Sequence, residues 1–156
     1  MEVHNPILSK EFLRSLFWVQ NKWHQHGIFI HTLRVVYHTL KAKEYKMITA
    51  AFLHDIGKPS TAFVKDEEDV KYGEYSFTDH EERSYQVIKN CSFISDYTKK
   101  LVRYHYLIRD IKKSKTRDPK RYELKSEIWD SLDDTMKNDL YTFLSFDDAG
   151  KGTKRR

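Results

Sequence analysis

Helix breakers are scarce in this chain: 5 glycines and 3 prolines among 156 residues. Counts that low leave little for the turns that an all-β or loop-rich fold needs, and they leave room for long helices. Hydrophobic residues make up 39% and aromatics 14%, enough to fill a core although 33% are charged and the mean hydropathy is −0.75. A disordered chain is excluded on that ground. A chain of this length forms about one domain and buries roughly two-thirds of its unfolded surface. The expectation is one all-α domain over 1–156, a helical bundle, with the motifs confined to about 29–152 and a basic tail at 151–156.

Cys91 is the only cysteine, so no disulfide forms within the chain and a reducing compartment is the default. The longest apolar runs, 16–19 and 50–53, are four residues each. A membrane span needs about 18 or more, so no membrane partner is expected. The opening MEVHNPILSK lacks the cationic-then-apolar order of an export signal, and the expected location is the cytoplasm. Composition does not settle the oligomeric state.

Apolar residues Phe12, Leu13, Leu16, Phe17 and Trp23 recur at helical spacing and predict a helix over 9–24, capped by Ser9 and broken at Gly27. A second helix is predicted over 29–40 and a third over 44–56, stopped by Gly57 and Pro59. Residues 60–78 read as non-helical, a short hairpin or a lid around an acidic DEED. Asp79 reads as the cap of a fourth helix, with Glu82 at the capping-box position. Ser95 or Asp96 opens a fifth helix through His105, and a basic loop follows. Asp118-Pro119 begins a sixth, and Asp133 or Asp134 begins a last one, ended by Gly150. There are no internal repeats and no low-complexity tracts.

The net charge of +5 is unevenly placed. Residues 1–98 hold 12 Lys/Arg against 13 acids, whereas 99–125 hold 11 against 3. Residues 126–150 then hold 1 against 7. The basic strip interleaves cations with Tyr104, Tyr106 and Tyr122, a pattern that can neutralise phosphates and stack on bases. Arg103, Arg109, Lys112 and Lys113 are its candidate phosphate or nucleic-acid contacts, and a possible RNA contact runs through 99–125. The plainer reading of the same strip is a solvated helix face with a lysine-rich loop.

Eight histidines are a surplus for this length. His4, His24 and His26 lie near predicted helix ends and read as surface residues, and His38 reads as packing. His31, His54-Asp55, Lys58, His80, His105 and an aspartate at Asp147 or Asp148 fall on different predicted helices, which is how a bundle builds a metal site in its core. His54-Asp55 follows the apolar run AAFL, so both side chains start close to the core. Buried together without a partner, an imidazole and a carboxylate cost a few kcal/mol, roughly, in lost hydrogen bonds. Taken alone, Lys58 reads as a cation at a helix C-terminus, His80 as a residue beside its cap, and His105 as part of the basic patch. Glu81 reads as structural.

The ordered set HTLRVV, HDIGKP, FTDHE, LVRYH and FDDAGKG resembles the HD superfamily of metal-dependent phosphohydrolases. The nearest resemblance is to the HD domain attached to bacterial CCA-adding transfer-RNA nucleotidyltransferases. It implies that His31, His54, Asp55 and Asp147 are metal ligands, with Asp148 as the alternative to Asp147. It places Lys58 beside a substrate phosphate, and His80 and His105 where two-metal members bind a second ion or the phosphate. The departures are the aspartate in FTDHE, where the CCA-enzyme version usually has glycine, and the lack of a nucleotidyltransferase segment. Substrate identity therefore does not carry over.

The donor set suits one or two divalent ions, Mn, Fe, Co, Ni, Zn or Mg, and without thiolates a structural zinc site is excluded. An ion held there acidifies water and polarises a phosphate ester. Asp55, Lys58, His80 and His105 are the candidate catalytic groups, with His80 or His105, titrating near neutrality, as proton donor to the leaving oxygen. The expected activity is hydrolysis of a nucleotide or RNA-terminal phosphate, as a phosphomonoesterase or 2′,3′-cyclic phosphodiesterase. The alternatives are a 5′-nucleotidase acting on deoxynucleoside monophosphates and a non-catalytic RNA-binding module.

Overall fold

A computed structural model describes residues 5–21, 24–65 and 75–152. It is an all-α bundle with one two-stranded ribbon. Helix α1 spans Lys10–Ser15, and Ser9 Oγ accepts from the Phe12 amide at 3.1 Å, the cap its sequence position predicts. The predicted helix over 9–24 stops here. Phe17 on the expected apolar face is exposed, while Gln20, a polar residue, is fully buried, so a polar contact decides the path of the chain from 16 onward.

Helix α2, Ile28–Lys41, buries Ile28, His31, Thr32, Val35 and Thr39 along one face. A single 3₁₀ turn, Tyr45–Met47, leads into α3, Ile48–Leu53, where Ala50, Ala51 and Leu53 are buried. The predicted third helix ends at Leu53, and a tight turn carries His54 to Gly57 into α4, Lys58–Thr61, which has Pro59 in its first turn. Strand β1, Ala62–Phe63, pairs antiparallel with β2, Ser76–Phe77. The expected hairpin is present at its base, and 66–74 lie outside the described residues.

Helix α5 spans His80–Ile88. The capping box expected at its start is not formed. Asp79 sits in the left-handed region at φ 56° without capping, and its carboxylate accepts from Arg121 at 2.7 Å. Glu82 accepts from Arg103 at 2.8 Å. Helix α6, Asp96–Tyr104, is capped by Ser95. The stretch read as a basic loop is largely helix α7, Leu107–Ser114. Helix α8, Pro119–Asp130, is capped by Asp118 and has no fully buried residue. It is held by Arg121 and Lys125, which both reach the buried Asp110 of α7. Helix α9, Asp134–Gly150, is capped by Asp133 and buries Leu140, Phe143 and Asp147 on one stripe.

The core gathers α2, α3, α6 and α9 around Val35, Met47, Leu101, Val102, Leu140 and Phe143. Two glycines set the closest approaches. A Cβ on Gly57 would lie 2.5 Å from the Ser84 amide and 2.6 Å from the His80 carbonyl, so α5 rests directly on the 54–57 turn. The Gly57 amide donates to Ser84 Oγ at 2.9 Å. A Cβ on Gly150 would lie 2.5 Å from Val35 Cγ2, so the end of α9 lies against α2. Gly57 has helical φ and ψ, so Gly57→Ala tests contact alone. It should destabilise the fold by about 1–3 kcal/mol, the usual cost of overpacking. Urea unfolding measures this, and an unchanged midpoint would mean that α5 does not lie on the turn.

Candidate metal centre

Four imidazoles and two carboxylates converge where α2, the 54–57 turn, α5, the end of α6 and α9 meet. His31, His54, Asp55, His80, His105 and Asp147 are all buried. His31 Nε2 lies 3.0 Å from Asp147 Oδ1 and 3.4 Å from Asp55 Oδ2. His54 Nε2 lies 3.3 Å from Asp55 Oδ2 and 3.7 Å from Asp147 Oδ1. The other oxygen, Asp55 Oδ1, faces His80 Nε2 at 3.4 Å and His105 Nε2 at 3.8 Å. The two Nε2 atoms of His80 and His105 are 3.3 Å apart. Asp55 therefore presents one oxygen to each pair of histidines.

The rings are aimed by the backbone. Nδ1 of His54, His80 and His105 lies 2.8, 3.0 and 2.7 Å from the carbonyl of the residue three earlier: Ala51, Phe77 and Val102. A carbonyl only accepts, so each Nδ1–H donates and each ring turns its Nε2 to the centre. His31 Nε2 and His54 Nε2 are buried with no aligned hydrogen-bond partner despite the nearby carboxylates. Buried polar atoms that crowd one point without bonding to one another match the donor set of a divalent ion. Two groups of three meet that requirement: His31, His54 and Asp147, and His54, Asp55 and His105. The residues fit one ion and leave donors for a second.

The HD-domain family model matches residues 28–135. The chain belongs to the HD-domain family. HD domains are in general metal-dependent phosphohydrolases, and the histidine and aspartate clusters are compatible with that chemistry. No curated protein and no solved structure matches the chain. Asp147 lies beyond the matched segment, so its place in the HD centre rests on geometry alone.

His31, His54, Asp55, His80, His105 and Asp147 come together. Asp148 points away, exposed, to Arg109 and Lys151. Lys58 is the first residue of α4 and not a C-terminal helix cation. It is buried, with Nζ 2.6 Å from Asp55 Oδ2 and 5.5 Å from the centre of the Phe77 ring. Arg109 reaches the rim, 3.2 Å from Asp147 Oδ2. Arg103 does not reach the centre; it pairs with Glu82 and lies over the Tyr85 ring at 4.4 Å. Lys113 bonds to Tyr106, and Lys112 is exposed. Glu81 is buried behind His80, 3.6 Å from Lys125, and burial raises its pKa.

Two neighbours were not legible as site residues. His24, read as a surface residue, is buried, with its ring centre 5.1 Å from that of His31. Gln20 Oε1 accepts from Lys58 at 2.7 Å. Both arrive by a fold-back of the chain before α2, and no local pattern signals it. His26 is half-buried, and His4 lies outside the described residues.

Burial opposes charge throughout the centre, and the partners decide which groups keep it. Burial would raise Asp55, but His54 and Lys58 hold it well below the carboxylate range. His31 and His54 do the same for Asp147. Burial works against protonated His54, yet Asp55 and Asp147 bring its pKa up to about 9. His80 falls to about 4 and His105 to about 3, chiefly through burial. The near-neutral titration expected of His80 and His105 is therefore not found. At pH 7 both are neutral, with a lone pair and not a proton turned to the centre.

Two outcomes follow for metal binding. Asp147→Asn should lower metal affinity about tenfold or more, whereas Asp148→Asn should leave the metal content of dialysed protein unchanged by elemental mass spectrometry. His54, with its pKa near 9, carries a proton at pH 7.5 that ligation must displace. Metal binding should then release about one proton per ion, and affinity should rise with pH up to about 9. Calorimetry in buffers of different ionisation enthalpy measures the proton count; a count of zero would remove His54 from the ligand set.

Proposed function

We propose that this HD domain hydrolyses a phosphate ester at the end of an RNA or on a nucleotide, as a phosphomonoesterase or 2′,3′-cyclic phosphodiesterase. The observation that carries the reading is how α7 is placed. At its inner end Arg109 touches the ligand Asp147. At its outer end and in the turn into α8, Lys112, Lys115, Arg117 and Lys120 are exposed and have no acidic partner among the described residues. The residues from 109 to 115 span roughly 9 Å of helix rise. A strand whose terminal phosphate enters the centre can therefore run outward over these cations.

His31, His54, Asp55 and Asp147 would hold the ion, with His80 and His105 available to a second. A bound divalent ion supplies Lewis acidity toward a water and a phosphoryl oxygen. Lys58 offsets charge on a phosphoryl oxygen, and burial strengthens that interaction. Neutral His80 and His105 accept bonds or coordinate, which removes them as proton donors to the leaving oxygen at neutral pH. The protein is proposed to work in the cytoplasm.

The 5′-nucleotidase reading has one observation on its side, the near-complete burial of the centre, which suits a small substrate. A panel of deoxynucleoside monophosphates, 2′,3′-cyclic nucleotides and short RNAs with terminal phosphates, assayed under Mn, Ni, Co and Mg, separates the readings. Asp55→Ala should lose about 100-fold or more of any turnover. Reversing Lys112, Lys113 and Lys115 to Glu should weaken RNA ends and flatten their salt dependence, and should spare mononucleotides. Turnover intact in Asp55→Ala would refute the site. Turnover of deoxynucleotides alone would favour the nucleotidase. Binding of RNA with no turnover under any ion would favour the non-catalytic module.

A further inference from the structure

What fixes Lys58 comes from outside the segment that matches the HD domain. Gln20 lies in the stretch between α1 and α2, is fully buried, and accepts from Lys58 Nζ at 2.7 Å. Its amide nitrogen donates to the His26 carbonyl at 3.3 Å. An amide removed from water is costly unless both of its ends are bonded, and here both are. The stretch is tied down around it. The Ile28 amide donates to the Trp18 carbonyl at 3.0 Å, and Asn21 Nδ2 donates to the Tyr75 carbonyl at 3.0 Å. The Gln25 amide donates to the Lys151 carbonyl at 2.9 Å.

The ammonium of Lys58 thus has two oxygens on it, Asp55 Oδ2 and Gln20 Oε1. Asp55 Oδ2 is also the oxygen that faces His31 and His54. With Asp55 alone, the ammonium would follow the carboxylate and screen a ligand oxygen. A neutral acceptor on its other side holds it at one point and adds no negative charge to repel a phosphate.

We propose that Gln20 is a positioning residue that holds the Lys58 ammonium ready to bond a substrate phosphoryl oxygen. The inference rests on the reading of Lys58 as the phosphate-binding cation. Its test is calorimetric binding of inorganic phosphate to the full-length, metal-loaded protein, for the parent, Gln20→Leu, Lys58→Met and the double variant. Gln20→Leu should weaken phosphate about tenfold with metal content unchanged, and Lys58→Met should weaken it at least as much. The double variant should bind no more weakly than Lys58→Met. Where Gln20→Leu does not fold, Gln20→Asn, which keeps the amide but withdraws it by one methylene, should show the same pattern. An equal loss from the Gln20 change in the Lys58→Met background, or no loss at all in the single variant, overturns the inference. Phosphate affinity unaffected by Lys58→Met overturns the role of Lys58 itself, and that pattern is distinct from the other two.

Discussion

Asp55 is a carboxylate at 1% exposure, and its ionisation shapes everything around it. An ion taken fully out of water costs several kcal/mol, roughly, unless charges and donors surround it. Lys58 and protonated His54 supply the charge, and the other three imidazoles fill the remaining directions. This arrangement is balanced without a metal, yet the balance is poor: His31 Nε2 and His54 Nε2 crowd carboxylate oxygens without aligned bonds. A divalent ion answers the same charge with better geometry, which is why the cluster reads as a binding site and not as a buried salt bridge. Stability and function therefore meet at one side chain.

The backbone converges on Asp55 because small residues let it. Gly57 allows α5 to touch the turn that carries the His-Asp doublet, and that contact delivers His80. Gly150 allows α9 to close on α2, which sets Asp147 against His31. Each of three histidines is then locked by the carbonyl three residues before it, a local bond that leaves only one ring nitrogen facing inward. Ring direction is thus fixed within one helical turn, while ring position depends on packing between helices.

That division explains what could be read from the residues alone. Ser9, Ser95, Asp118 and Asp133 cap the helices expected of them because a cap bonds an amide two or three residues away. Asp79 does not cap, because Arg121, far along the chain, takes its carboxylate. Helix α7 was hidden because Leu107, Ile108 and Ile111 are outnumbered by cations that face solvent. The HD motifs were legible in order, and so were the helical class and most of the side chains that converge on the centre. Gln20 and His24 were not, since the helix predicted over 9–24 ends at Ser15 and long-range contacts, not helical periodicity, set Gln20 on Lys58 and His24 beside His31.

The basic strip shows the same limit from the side of charge. By count it is the most cationic part of the chain, but much of that charge is consumed inside the fold. Arg103 meets Glu82, Arg121 and Lys125 meet Asp110, and Arg109 meets Asp147 and Asp148. Asp110 is held below its usual pKa, against burial, by those two cations, so they tie α8 to α7. Most of the cations left to a partner are on the corner between α7 and α8. The helix whose Arg109 contacts Asp147 at one end therefore carries open cations at the other.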